Sequence, residues 1–448
     1  MKQAIAIGGV LLLYINLYTF IIGVSKAAYI ALFNLYLKSL SYGNVVLGNA
    51  TLYYSLGLAL GGLTFSTLSD HIGRKRILVI TMPIYSIIGL VRLIHMPYFA
   101  LYLTSFLFGL FDTSVALPSI SVIESSDENN RLKNSNINFA IVMITGVLGY
   151  FGAGLLSEKI GLLNTLRLSM MLSFFSIVPL IPIKNVKASL KKRVISLTLP
   201  QFIIYLYYII SGSLVSLAAG VFINFGNVIF FDLFSFSTSM ITLVLSVSQL
   251  STAATSLVSH KITSRYGYKL SLFLLYSAVT VLIFLMPIFM MNSVAFTVAY
   301  ILRYVLLNIT TPIYMVFCLS YLPKTYLATF SGFSYFINSL MRAFSAQIFT
   351  LLSKSGTTNY SKLFFITGLF YLFNTILTII VFALVYISGK KNIQISFASF
   401  GTFFSKAWGR NGKRVKYNLS HSSNQRSKFK SSSVSIHVHN FRHKRPDR

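Results

Sequence analysis

The sequence predicts an all-α integral membrane protein of about twelve transmembrane helices, arranged as two pseudo-symmetric six-helix bundles. Three observations predict it. Apolar runs of about 20 residues or longer recur along the chain to Ser388, each long enough to cross a hydrocarbon core. Basic residues between the runs are distributed unevenly, as they are when one face of a membrane retains them. Two landmarks repeat at a single sequence offset, which points to a duplicated bundle. Composition agrees, since 55% of residues are hydrophobic and only 10% charged, against roughly 25% charged in a soluble domain.

The apolar runs place spans at about 8–37, 45–69, 77–95, 98–122, 137–157, 161–183, 200–231, 237–258, 270–289, 293–318, 325–352 and 361–388. The first is much longer than the apolar core of roughly 7–15 residues in a cleavable signal, so it reads as a retained helix. Between spans two and three, the stretch Ser66–Arg76 (STLSDHIGRKR) gathers Asp70, Gly73, Arg74 and Lys75, charges too expensive for hydrocarbon. The connections after spans six and eight are also basic, with Lys184, Lys187, Lys191, Lys192 and Arg193, then Lys261, Arg265 and Lys269. Connections after odd spans are short and nearly neutral, with Lys38, His95, Glu158, Lys159, Asp232, Lys354 and Lys362 as most of their ionisable content. The asymmetry predicts a multi-pass protein of the cytoplasmic membrane with both termini in the cytoplasm. It also accounts for the net charge of +30, from 38 Lys and Arg against 8 Asp and Glu, without a specific nucleic-acid partner.

Gly73 in DHIGRK and Gly267 in TSRYGYK are 194 residues apart, as are Pro118 in VALPSI and Pro312 in ITTPIY. The shared offset predicts parallel copies about an axis along the membrane normal. It divides the chain into a first bundle (1–183), a basic cytoplasmic linker (184–199), a second bundle (200–388) and a basic cytoplasmic tail (389–448). In the tail, Phe397, Phe400, Phe404 and Trp408 fall at helical spacing over Ile395–Trp408 and predict an interfacial helix. The rest, Asn411–Arg448, has the composition of a disordered segment whose basic residues suit anionic lipid headgroups. A single cysteine, Cys318, excludes an intramolecular disulfide and reads as a small core residue. His437, His439 and His443 have no structured fourth ligand, so no metal site is assigned, and no motif implies a cofactor.

With these elements in place, the chain resembles the major facilitator superfamily over about residues 8–388. The loop motif of that family, G-x-x-x-D-(R/K)-x-G-(R/K)-(R/K), falls here on Ser66, Asp70, His71, Gly73, Arg74 and Lys75. The Asp-to-Gly-Arg-Lys core is intact, while Ser66 and His71 depart from the pattern. The resemblance implies a cytoplasmic latch between the halves, with Asp70 near the helix start around Pro323–Thr325 and Glu124 and Arg131 beside it. The counterpart loop has Ser264 and Tyr268 at the positions of Asp70 and Arg74, so the latch is expected to be asymmetric. The resemblance also implies alternating access by a monomer, with a central site lined by the first and fourth helices of each half. Exporters in the family driven by protons often carry an arginine four residues before a glycine of helix four. With Gly109 as that glycine the position holds Ser105, which weakens that assignment.

Candidate substrate or coupling residues are therefore Lys26, Asn34, Asp112, Asn227, Arg303 and Asn308, with Asn224 and Gln249 as further polar groups. Asp112 is the one acid well inside a span, and two partners are open to it: Arg303 across the cavity, or Lys26 within the same half. The second would be a structural pair. Arg342 and Arg92 are expected to snorkel. A single intramembrane carboxylate permits proton coupling. A surplus of bases over acids favours an anionic solute if Lys26, Arg303 and Arg342 face water. Two function classes follow: a secondary transporter of a small organic solute, or a transport-inactive receptor or scaffold acting through the tail. No nucleophile–base pair, His–Glu metal spacing or phosphate-cradling glycine loop suggests an enzyme.

Overall fold

In a computed structural model of the chain, residues 2–113, 117–118, 121–122, 131–183, 195–321, 327–354, 358–388 and 394–397 are described. The first half contributes α1 (Lys2–Ser39), α2 (Asn44–Ile72), α3 (Arg74–Val91), α4 (Tyr98–Leu110), α5 (Arg131–Ile160) and α6 (Leu162–Phe175), the last followed by a 3-10 turn at Val178–Leu180. The second contributes α7 (Leu199–Phe234), α8 (Thr238–Phe289), α9 (Ser293–Tyr321), α10 (Leu327–Leu352) and α11 (Tyr360–Ser388). α8 is two spans in one, because Gly267 interrupts its 52 residues with φ 72° and ψ 168°. Counting it twice yields twelve spans.

Gly73, between α2 and α3, has φ 104° and ψ 142°. Both glycines thus reverse the chain with one extended residue at positive φ, which L side chains rarely adopt. The two loops are the same turn, as the offset of 194 predicts. The expected break at 258–270 is correspondingly narrower, and Lys261, Arg265 and Lys269 lie on helix rather than in a loop.

Span four departs from expectation in a different way. α4 ends at Leu110, Phe111 sits at φ −85° and ψ 0°, and Asp112 follows in irregular backbone rather than halfway along a continuous helix. Helix returns at 117–118 and 121–122. Pro118 has no N–H for the carbonyl four residues earlier and its ring crowds that carbonyl, which disfavours an unbroken helix through this stretch.

α2 meets α4 through glycines. A Cβ on Gly57 would collide with the Phe106 carbonyl, one on Gly61 with the Leu110 carbonyl, and one on Gly109 with the Tyr54 carbonyl. Small residues spaced by four let two membrane helices touch along their backbones. The contact brings Tyr54 beside Asp112.

Between the halves, α2 packs against α10, α5 against α8, and α1 against α7. Gly48 abuts Thr350, and Gly154 abuts Thr242. These two contacts are near copies of each other, since position 242 is the repeat of 48 and position 348 the repeat of 154. The interface is therefore close to self-complementary about the pseudo-twofold axis. Large apolar side chains such as Ile80, Ile87, Phe151, Phe365 and Ile379 are exposed on the outer surface, where lipid covers them.

Outside the membrane, β1 (Ile195–Thr198) and β2 (Gln394–Phe397) pair antiparallel, with Ile195 opposite Phe397 and Thr198 opposite Gln394. This corrects the tail reading, because Ile395, Ser396 and Phe397 are strand rather than the start of an interfacial helix. A strand partner satisfies backbone groups that a helix of this short segment would leave partly unpaired. The remainder of that predicted helix and the segment Asn411–Arg448 lie outside the described residues.

Candidate functional site

A cavity of about 600 Å³ lies between the halves. Its wall takes Ile30 and Ala31 from α1, Met143 and Tyr150 from α5, Asn227 from α7, Gln249 and Thr252 from α8, Arg303, Tyr304 and Asn308 from α9, and Asn338 and Arg342 from α10. It begins at Asn227, Arg303 and Arg342. From there it continues past Tyr208, Met315 and Ser334, toward the end of the bundle that carries Gly73 and Gly267. Of the sequence candidates, Asn227, Arg303, Asn308 and Gln249 are on this wall, while Lys26, Asp112 and Asn34 are not.

Arg303 is 1% exposed. Its Nη2 donates to the Tyr371 hydroxyl at 3.0 Å, and its guanidinium lies 4.2 Å from the Phe222 ring centroid and 5.0 Å from that of Tyr304. Its Nε has no hydrogen-bond partner. Arg342, expected to snorkel, instead lines the cavity, and its Nε is buried without a partner. Mid-helix placement on α10 keeps it too far from either end of the bundle for its side chain to reach water outside the cavity. Asn308 is held by the Tyr304 carbonyl and the Thr252 hydroxyl, both at 2.8 Å.

Asp112 pairs with Lys26 and not with Arg303. Lys26 Nζ is 2.6 Å from Asp112 Oδ2, and the Tyr54 hydroxyl donates to the same oxygen at 2.8 Å. The Asp112 side chain is fully buried, so a cation this close is what makes an ionised carboxylate tolerable there. The pair lies entirely within the first half. Tyr54 was not among the sequence candidates, and only the glycine spacing of α2 hinted that this face meets α4.

Arg92, also expected to snorkel, is 4% exposed. Its guanidinium sits 3.9 Å from the Phe33 ring centroid, 4.6 Å from Phe108 and 5.8 Å from Tyr29, and Nη2 donates to Ser105 Oγ at 3.1 Å. Rings on three sides offer the cation a better place than a reach to the interface. The aromatic pair Tyr29 and Phe33 thus encloses an arginine of the protein. The same contact supplies a guanidinium to the hydroxyl of Ser105.

At the opposite end, α1 and α7 close on each other about the axis. Asn34 donates to the Asn224 carbonyl at 2.9 Å, and Asn227 donates to the Ala31 carbonyl at 2.7 Å. Further out, Asp232 accepts from Lys38 at 2.5 Å, from Asn44 at 2.7 Å and from the Tyr360 hydroxyl at 2.6 Å. Lys38 and Asp232 are 194 residues apart, so repeat-equivalent positions with opposite charge meet at the axis. That coincidence of offset and charge was the available signal for this cluster, which the sequence reading placed in a neutral loop.

The loop motif is described only in part. Gly73 makes the turn, Arg74 is buried and Lys75 donates to the Ile181 carbonyl at 2.7 Å. The side chains of Ser66, Asp70 and Arg131, and residues Glu124 and Pro323–Thr325, lie outside the described residues. Cys318 is buried, as a core residue would be.

A family model described as the Major Facilitator Superfamily matches residues 15–346. Comparison with curated proteins finds no match in sequence. Among solved structures, the chain is similar to a D-xylose-proton symporter, with TM-score 0.68 and 12% identity over 82% of this chain and 96% of that one. It is similar to the nucleoside transporter NupG, with TM-score 0.63 and 17% identity over 83% and 99% of the two chains. It is also similar to the xylose transporter XylE from E. coli in a partially occluded inward-open conformation, with TM-score 0.64 and 11% identity over 82% and 96%. At these identities the likeness is one of fold.

Proposed function

The chain belongs to the major facilitator superfamily of secondary transporters, which are not enzymes, and on that premise we propose that it carries a small organic solute across the cytoplasmic membrane by alternating access. The observation that carries the reading is the cavity of about 600 Å³ between two pseudo-symmetric halves, bounded at one end by the Asn34–Asn227 and Asp232 contacts. Basic connections cluster at the other end, which supports a cytoplasmic orientation for it and for both termini. The state described is then closed to the outside, and rocking the halves about their axis would exchange it for the opposite one.

Proton coupling through Asp112 would require Lys26 to leave the carboxylate during the cycle. The observed pairing, within one half and off the cavity wall, supports a structural role for both residues instead. Solute contact is assigned to Arg303, Asn308, Asn227, Gln249 and Arg342.

A disulfide across the outer closure tests alternating access. Gly48 and Thr350 touch across the halves, so a Gly48→Cys/Thr350→Cys pair is within bridging reach. In proteoliposomes offered a panel of labelled organic solutes, oxidation should abolish flux and reductant should restore it. Undiminished flux with the bridge fully formed would rule out rocking of the halves as the transport step.

A further inference from the structure

We propose that the solute is an organic oxyanion, a carboxylate or phosphate on an apolar or aromatic body, bound through the guanidiniums of Arg303 and Arg342. The inference rests on the carrier reading above and concerns the chemistry of the same cavity.

The chain has only eight acids: Asp70, Asp112, Glu124, Asp127, Glu128, Glu158, Asp232 and Asp447. Among the described residues, Asp112 is taken by Lys26, Asp232 by Lys38, and Glu158 accepts from Ser239. Among the described residues none of these acids lines the cavity, whereas two arginines do. A buried guanidinium without an opposing charge is costly, and an ion pair recovers much of that cost. The described residues offer no acid to this cavity, so a counter-charge brought by the solute would answer its two arginines.

Local geometry points the same way. Arg303 is fixed by Tyr371 and by two ring faces, yet it keeps a buried Nε with no partner. Arg342 has no hydrogen bond or ion pair from its side chain among the described residues, although its Nε is shielded from solvent. Arginine held in this way presents several N–H groups in a planar fork that matches an oxyanion. Around them, the hydroxyl-bearing rings of Tyr150, Tyr208, Tyr276, Tyr304 and Tyr314 supply apolar area with polar tips, which suits a solute with an apolar or planar body. Arg92 is the internal control. It is as buried and as enclosed by rings as Arg303, with one hydroxyl partner and an unpartnered Nε of its own, but it is not on the cavity wall, so no solute can reach it.

The test is binding to the detergent-purified full chain, measured by calorimetry and by the shift in melting temperature. Benzoate, phenyl phosphate, inorganic phosphate and the neutral isostere benzamide serve as probes. Benzoate or phenyl phosphate should bind at least about tenfold more tightly than benzamide and than inorganic phosphate, and whichever is tighter identifies the headgroup. Arg342→Gln, on a half-buried side chain, should weaken that binding about tenfold with an unchanged melting temperature of the unliganded protein. Arg342→Lys should recover part of it, and Arg303→Gln should lose it. Benzamide binding as tightly as the anions, inorganic phosphate matching phenyl phosphate, no binding by any anion, or full benzoate affinity in Arg342→Gln would each overturn the proposal. Because binding is read without transport, anion binding with no flux would count against the carrier reading alone. Flux of a neutral solute without anion binding would count against this inference alone.

Discussion

In the first half, Lys26 is answered by the Asp112 carboxylate, and Arg92 sits off the cavity wall among three aromatic rings with Ser105 and an unpartnered Nε. In the second half, Arg303 has one tyrosine hydroxyl and two ring faces, and Arg342 lines the cavity with its Nε unpartnered. The repeat offset of 194 sets Gly109 opposite Arg303 and Asp112 opposite Leu306. The first half uses position 109 to bring α2 and α4 together, and the second uses its equivalent to present a charge. Duplication thus preserved the backbone plan while the charged positions diverged. The first half keeps its cations away from the cavity, while the second turns two arginines onto its wall.

The largest expected effect breaks the first half's side of this contrast. Asp112→Asn leaves the Lys26 ammonium beside a neutral amide in a buried site, and should cost about 3–5 kcal/mol of stability. Lys26→Met/Asp112→Leu removes both charges and should recover most of that loss. Chemical unfolding of the detergent-solubilised protein measures both. If the double variant were as unstable as the single one, the pair would hold the fold by something other than mutual neutralisation. Next in size is Gly61→Ala. The added Cβ meets the Leu110 carbonyl, a backbone group that cannot swing aside, so a loss of about 1–3 kcal/mol is expected from overpacking. Gly152→Ala, with open space around its Cβ, should be close to neutral in the same assay.

Much of the fold was legible before any coordinates. Hydrophobic run length located the twelve spans, and Gly73 with Gly267 located the duplication, because a positive-φ turn leaves its mark as a glycine at a fixed place. The break after Leu110 was less visible, since an apolar run looks the same whether or not its backbone is continuous, and Pro118 alone did not say where the helix would stop. Site residues were legible as residue types but not as pairings. Lys26, Asp112 and Arg303 stand out in any apolar segment, yet which of them meet depends on helix rotation and crossing, set by packing details such as the Gly57, Gly61 and Gly109 contacts. Arg92 and Arg342 were misread for the same reason: the length of an arginine side chain permits snorkelling, and only tertiary surroundings decide whether it occurs.

A smaller effect sharpens the contrast between the two enclosed arginines. Arg92→Gln should lower stability by about 2 kcal/mol through loss of a desolvated cation–π cluster, with solute affinity unchanged. Arg303→Gln should reduce solute affinity as well as stability. Calorimetric binding beside unfolding separates the two quantities, and parallel behaviour of the variants would erase the functional asymmetry of the halves.

The smallest expected effect concerns the axis, where both halves contribute to one cluster. Asp232 accepts from Lys38 and Asn44 of the first half and from Tyr360 of the second, so its charge is expected to hold this end closed. Asp232→Asn keeps the shape but loses the ion pair, whose partners are 18% and 16% exposed and so partly screened. The loss should be on the order of 1 kcal/mol, which is about a fivefold rise in the open population. Ala31 lines the cavity behind this closure, and only its backbone carbonyl is engaged, by Asn227. In a Cys318→Ala background, Ala31→Cys should therefore react about fivefold faster with an impermeant thiol reagent from the Asp232 side when Asp232→Asn is present. Exchanging the charges, Lys38→Asp with Asp232→Lys, should not restore slow labelling, because Asn44 and Tyr360 are donors aimed at position 232 and would face an ammonium. Equal labelling rates with and without Asp232→Asn would mean that the outer closure is held by the Asn34–Asn227 amides and by packing, with the axis cluster a bystander.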